Sequence, residues 1–205
     1  MVEYRSLEDD GNDRAYLTYT IDGSWGDRTM HVRDLAFVDH EGLLAICAFC
    51  ANHDSQVTEV TFSLPTDVDF LDLVPTPEDV ECTLEPGAMA RIVDVRETLS
   101  AFQYPDVDAQ VTITVTDSLV EWNEGTITLS VTDGEPTCEY HAEADEADPE
   151  TPSVTLDIGT LTQLVVGYRS TRDLEQLGRV TVSEETRTVL ERLFPREQPY
   201  LGTRF

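Results

Sequence analysis

Two stretches decide the fold: Gln110-Val-Thr-Ile-Thr-Val-Thr116 and Thr126-Ile-Thr-Leu-Ser-Val-Thr132. In the first, Val111, Ile113 and Val115 fall on one face and Thr112, Thr114 and Thr116 on the other. The second repeats the pattern with Ile127, Leu129 and Val131. Strict period-2 alternation predicts strands with one apolar and one polar face. The connection between them contains Asn123, Glu124 and Gly125. So short a link predicts an antiparallel hairpin.

Downstream, Cys138–His141 is expected to add a strand, residues 143–152 an exposed acidic loop, and Val154 with Leu156 another short strand. The spacing then turns helical. Ile158, Leu161, Leu164 and Val165 share one face of a helix over 158–167, with Gly167 as its C-cap. Residues 172–178 read as a helix ending at Gly178. Ser183 caps a helix over 184–194, which Glu184 and Glu185 favour at its positive end and Pro195 stops.

Upstream, residues 88–95 read as a strand and 96–104 as a helix ended by Pro105. Pro65, Pro75, Pro77, Pro86 and Gly87 mark 65–87 as a linker with a helical turn at Phe70–Val74, and place a domain boundary there. Before it, 14–20, 29–38 and 56–63 read as strands. Asp39 is expected to cap a helix over Gly42–Ala51, whose apolar residues nearly encircle it and imply full burial. Residues 29–63 thus form a strand–helix–strand unit, within a chain read as α+β.

The 205 residues contain 41 Asp plus Glu against 13 cations, all Arg, for a net charge of −28. On the roughly 9,600 Å² expected of a monomer this size, that is about one uncompensated charge per 340 Å². No basic stretch exists to displace counterions from phosphates, so no nucleic-acid partner is expected. Anionic membranes are excluded alike, and no apolar run approaches the length of a membrane span. Residues 1–20 lack an apolar signal core, which predicts a cytoplasmic location. At 40% hydrophobic content the chain should fold. Excess acid without Lys resembles the cytoplasmic proteins of salt-accumulating microbes, so the charge reports habitat more than function.

Cys47, Cys50 and His53, with Cys138 and His141, have the spacing of zinc ligands. Cys47 and Cys50 lie inside an apolar run, which favours small buried hydrophobes and no metal. Carboxylate pairs are too frequent for any one to mark a general base. The strand–helix junction Phe37-Val38-Asp39-His40-Glu41-Gly42 has one glycine and two acids where a phosphate cradle needs several glycines. A pyrophosphate would be repelled there.

The segments Arg91-Ile-Val-Asp-Val95, Leu161-x-x-Leu164-x-x-Gly167-Tyr168, and Leu193-Phe-Pro195 followed by Pro199-Tyr200 and the terminal Phe205 resemble the C-terminal region of the Eis (enhanced intracellular survival) family of GNAT-type N-acetyltransferases. The resemblance covers residues 88–205 and implies a sterol carrier protein 2-like mixed-sheet domain there. Residues 1–87 would then be a partial GNAT-like α/β unit, with 14–64 matching half of the family's central domain, plus the linker. Family members are about twice this length. The resemblance implies acetyl transfer from acetyl-CoA to small-molecule amines, with no coenzyme A site in this chain, no turnover by it alone, and homo-oligomers. It implies the carboxylate of Phe205 as the base, with Met89, Arg91 and Arg204 at the substrate. Met89 stands where some relatives have Trp, and Arg204 where some have an acid. Arg91 is more strongly expected to pair with a carboxylate, such as Asp94 or one in another element, than to touch substrate. The other readings are a free-standing carrier of an apolar ligand, or an oligomerisation scaffold.

The charge density yields a test. The unfolding midpoint should rise steeply with molar KCl, because the Debye length falls to about 3 Å at 1 M. A flat midpoint across that range would remove self-repulsion as the reason for the composition.

Overall fold

In a computed structural model, residues 3–9, 12–141 and 147–200 are described, the first stretch as backbone only. The chain divides into two compact units, 1–88 with the segment from Tyr200 onward, and 89–199.

The first unit is built on a sheet of β1 (Glu3–Asp9), β2 (Asn12–Ser24), β3 (Asp27–Phe37) and β4 (Glu59–Thr61), in that order. The first two pairings are antiparallel, and β3 pairs with β4 in parallel. A parallel pair needs a crossover, and α1 (His40–Ala51) supplies it. Ala15, Leu17 and Tyr19 alternate along β2 to face the core, where they meet Met30, Leu35, Ile46 and Val57. The strands are longer than expected at β2 and shorter at β4. Residues 65–87 hold two short 3-10 turns, Phe70–Asp72 and Pro77–Asp79.

Full burial of α1 is corrected. Gly42, Leu43 and Ile46 are buried, but Leu44 is 37% exposed, and Ala48 and Ala51 also face outward. One sheet covers one side of a helix, so apolar residues on the far side stay in water.

The second unit carries β5 (Ala109–Thr116), β6 (Gly125–Thr132), β7 (Glu135–His141) and β8 (Ser153–Asp157), in the order β7-β6-β5-β8. β5 and β6 are antiparallel neighbours, with Ile113 opposite Ile127. The hairpin to β7 turns on Asp133-Gly134, both at positive φ (50° and 78°), the backbone that a two-residue turn of matching twist requires. β8 joins β5 in parallel. Val111, Ile113, Val115, Ile127, Leu129 and Val131 face a core closed by α3 (Ile158–Val165), α4 (Thr171–Gln176) and α5 (Glu184–Leu193). The opposite face is a hydroxyl ladder: Thr112 to Thr128 at 3.1 Å, Thr114 to Thr126 at 3.0 Å. The sheet thus has the two-faced character its alternation implies.

The helix starts behave as their sequences require. Asp157, Ser170 and Ser183 each accept from the backbone N–H three residues on. Gly167 follows α3 at φ +69°, a left-handed conformation that suits glycine. A Cβ there would also come within 2.5 Å of the Glu197 side chain.

Residues 88–94 form no strand. Backbone donors here go to side chains instead of a ladder: Ile92 N–H to Thr162 Oγ1 (3.1 Å) and, at the start of the following helix, Val95 N–H to Asn123 Oδ1 (3.0 Å). The helix that follows, α2 (Val95–Ala101), starts one residue early because Asp94 caps it, and stops at Phe102 in extended backbone. The acidic loop expected over 143–152 falls partly on 142–146, outside the described residues.

Leu129 is fully buried at the centre of the second core. Leu129→Ala should lower unfolding stability by about 2–5 kcal/mol, through lost apolar transfer and the cavity left behind. A urea melt of the two proteins measures it.

Candidate functional site

Two places carry chemistry: the start of α1 in the first unit and a buried carboxylate in the second. At the first, Asp39 has extended backbone, and its side chain accepts from the N–H of Gly42 at 2.9 Å. Arg14 donates from Nη2 to the other carboxylate oxygen. Arg14 comes first among the causes that hold the Asp39 carboxyl below its usual range, then the Gly42 N–H. A Cβ on Gly42 would lie 2.6 Å from the Arg14 carbonyl, so β2 and α1 approach closely here.

This geometry bears on coenzyme A, which a GNAT-type unit implies. A pyrophosphate needs free N–H groups at a helix start. At α1 the protein's own carboxylate takes the Gly42 N–H, and Glu41 adds a second negative charge. The residues present do not fit the group.

In the second unit, Asp117 sits just past β5 with its side chain 1% exposed. Arg91 Nη2 donates to both of its oxygens, each at 2.6 Å. Asn123 Nδ2 donates at 2.9 Å, and the N–H groups of Leu119 and Val120 donate at 3.0 and 3.2 Å. Burial works against the charged form and is the largest single influence. The hydrogen bonds from Asn123, Leu119, Arg91 and Val120 together outweigh it and bring the carboxyl down to about 2. Asn123 then reaches across to Val93 O at 3.2 Å, and Trp122 Nε1 joins it there at 3.3 Å. Loop 117–123 and segment 91–95 are one hydrogen-bonded body.

The expected site residues fall unevenly on this structure. Arg91 pairs with Asp117, a carboxylate in another element, while Asp94 accepts from the N–H of Glu97 as the cap of α2. Met89 lies on the 88–94 coil, 98% exposed. Arg204 and Phe205 lie outside the described residues. Asp117 and Asn123 were missed by sequence reasoning. Their signal was two polar residues inside a short strand-to-strand connection, six positions apart.

Burial raises the Cys47 thiol and pushes the Cys50 thiol up to about 11. His53 Nδ1 bonds Phe49 O, and His141 Nε2 bonds Thr128. Among the described residues no three His, Cys, Asp or Glu are placed to hold a metal. No helix among them is long and apolar enough to cross a membrane.

Because the folded carboxyl of Asp117 sits below its unfolded value of about 3.9, its stabilisation is present above that value. It is lost as pH falls through about 2. Asp117→Asn should therefore lower the thermal midpoint near neutral pH and flatten its decline between about pH 4 and 2. A midpoint unchanged at pH 7 would contradict the network's role.

An acetyltransferase (GNAT) domain model matches residues 3–92, and a sterol carrier protein domain model matches 95–202. The first match corrects the expectation of half a GNAT domain over 14–64: β1 and the linker through Ile92 belong to it as well. Among solved structures, Eis1 from Mycobacterium abscessus is 25% identical at a TM-score of 0.69, covering 100% of this chain and 51% of that one. A probable N-acyltransferase from Enterococcus faecalis V583 is 25% identical at 0.73, with coverage of 93% and 46%. A GCN5-related N-acetyltransferase from Anabaena variabilis shares the fold at 23% identity and 0.72, with coverage of 97% and 49%. The chain thus spans about half the length of these structures. No curated protein matches it. More than half of the residues fall in the second match, and the chain belongs to the sterol carrier protein domain family, joined here to a GNAT acetyltransferase domain.

Proposed function

We propose that this chain is the C-terminal portion of an Eis-like N-acetyltransferase that moves acetyl from acetyl-CoA to small-molecule amines. The supporting observation is the pairing of a GNAT domain with a sterol carrier protein domain over about half the length of acetyltransferase structures. The filled Asp39 cap at α1 favours a coenzyme A site in another domain.

In this reading the chain contributes the amine pocket. The carboxylate of Phe205 accepts a proton from the amine nitrogen. A free α-carboxyl titrates near about 3.5, so it serves as a base near neutral pH only when partly desolvated. Met89, fully in solvent here, becomes a wall of the pocket. Arg91 keeps Asp117 and positions the 88–93 segment from that anchor. Arg204 disfavours strongly cationic amines. The protein works as a homo-oligomer in a salt-rich cytoplasm.

A carrier role is the second reading, favoured by the family match. Against it stands the second core, where Val111, Leu129, Leu161, Leu174, Leu190 and Leu193 fill the space beneath the sheet at 0% exposure.

The test compares two proteins in molar KCl. The isolated 205 residues, given acetyl-CoA and a panel of diamines, should form no acetylated amine and bind no coenzyme A in calorimetry. Expressed with the reading frame immediately upstream, the product should acetylate. Turnover by the isolated chain, or none by the extended product, would overturn the reading.

A further inference from the structure

The second sheet ends at β8, which pairs with β5 on one side and with no strand on the other. The carbonyl of Pro152 accepts from the N–H of Thr112, and the register runs on to Thr116 opposite Asp157. With a period of two, the main-chain groups of Val154 and Leu156 serve β5, and those of Ser153 and Thr155 point away from it. Residues 179–182 stand across from this edge. Their side chains alternate as a strand's do: Arg179 and Thr181 are exposed, Val180 is buried in the core, and Val182 packs partly against it. Yet among the described residues no main-chain hydrogen bond joins the two segments. Instead they line a groove of about 470 Å³, with Ser153, Val154 and Thr155 on one wall and Arg179, Val180 and Thr181 on the other.

The walls select the occupant. Outward N–H and C=O groups on a strand edge are a template for another main chain, and the alternating side chains beside it set the sequence that fits. A whole sheet edge, such as β8 of a second copy, meets the far wall at 179–181 before it can pair. A single extended segment meets no such obstacle. One face of that segment lies against Val154 and Val180, both buried, and the other against the hydroxyls of Ser153 and Thr155. Arg179 sets the charge. Among the described residues it makes no ion pair. Its field reaches Asp157, but both oxygens of that carboxylate already accept from Thr160. The guanidinium can therefore take an acid on the incoming segment.

We propose that the four-stranded sheet accepts an extended segment of a separate protein as a fifth strand, in the groove between β8 and residues 179–181. The segment alternates apolar and polar side chains and carries a carboxylate opposite Arg179. This binding is independent of acetyl transfer.

The experiment uses the 205-residue chain in molar KCl and a fluorescein-labelled octapeptide of alternating valine and threonine with one central aspartate. Its anisotropy titration should saturate with a dissociation constant below about 1 mM. The amides of Ser153 and Thr155 should gain protection from hydrogen exchange, while Thr112, already bonded to Pro152, stays unchanged. Thr155→Pro removes one outward N–H and leaves the β5 ladder in place, so binding should weaken about fivefold. Arg179→Glu should weaken the aspartate peptide about tenfold and leave a version with asparagine in its place unaffected. A peptide N-methylated on alternate residues cannot donate to an edge, and tests the same point with the protein unaltered. It should bind at least about tenfold more weakly. Failure to saturate by about 1 mM, equal binding of the N-methylated peptide, or no added protection at Ser153 and Thr155 would overturn the proposal. So would a dimer, formed without peptide, that Thr155→Pro dissolves, since a second copy would then own the edge.

Discussion

The second unit is organised around one buried carboxylate. Asp117 is 1% exposed, and an isolated charge at that depth would be costly. Its oxygens are satisfied by one guanidinium, one amide and two backbone N–H groups. Each donor fixes a piece of chain. Arg91 fixes the entry into the unit. Leu119 and Val120 fix the loop leaving β5. Asn123 fixes the approach to β6, and its Oδ1 takes the N–H of Val95 at the start of α2. Remove the carboxylate, and four segments lose the point that joins them.

The same logic explains why an acidic chain without Lys is workable. With 13 Arg against 41 acids, most carboxylates stay in solvent and a few arginines must do structural work. A guanidinium offers a planar fork that can satisfy both oxygens of one carboxylate, which an ammonium cannot match. Arg187 on Glu175 uses the fork through Nε and Nη2, while Arg91 spans both oxygens of Asp117 from the single nitrogen Nη2. Arg14 on Asp39 does a related job at α1, where the helix start is closed by a side chain of the protein itself.

Much of the fold was legible because it rests on local periodicity. The Val/Thr alternation of β5 and β6, the spacing of Leu161, Leu164 and Val165, and the caps at Asp39, Ser183 and Gly167 each express a short-range rule. What was not legible depended on partners far away in sequence. Residues 91–95 have strand-like side chains, yet their N–H groups are claimed by Thr162 and Asn123 from 70 and 28 positions away. The pairing of Arg91 with Asp117 spans 26 positions, so a carboxylate in another element was expected but not which one, and the nearer Asp94 caps α2. Exposure of Leu44 depended on how many layers surround α1, which composition does not encode. The Asp133-Gly134 turn was legible and was overlooked, since that dipeptide between alternating strands is a strong hairpin signal.

Two negative features stand out, one in each unit. The GNAT unit begins its crossover helix with an acid in the cap, a poor seat for pyrophosphate. The sterol carrier unit fills the space beneath its sheet with leucine and valine, a poor container for an apolar ligand.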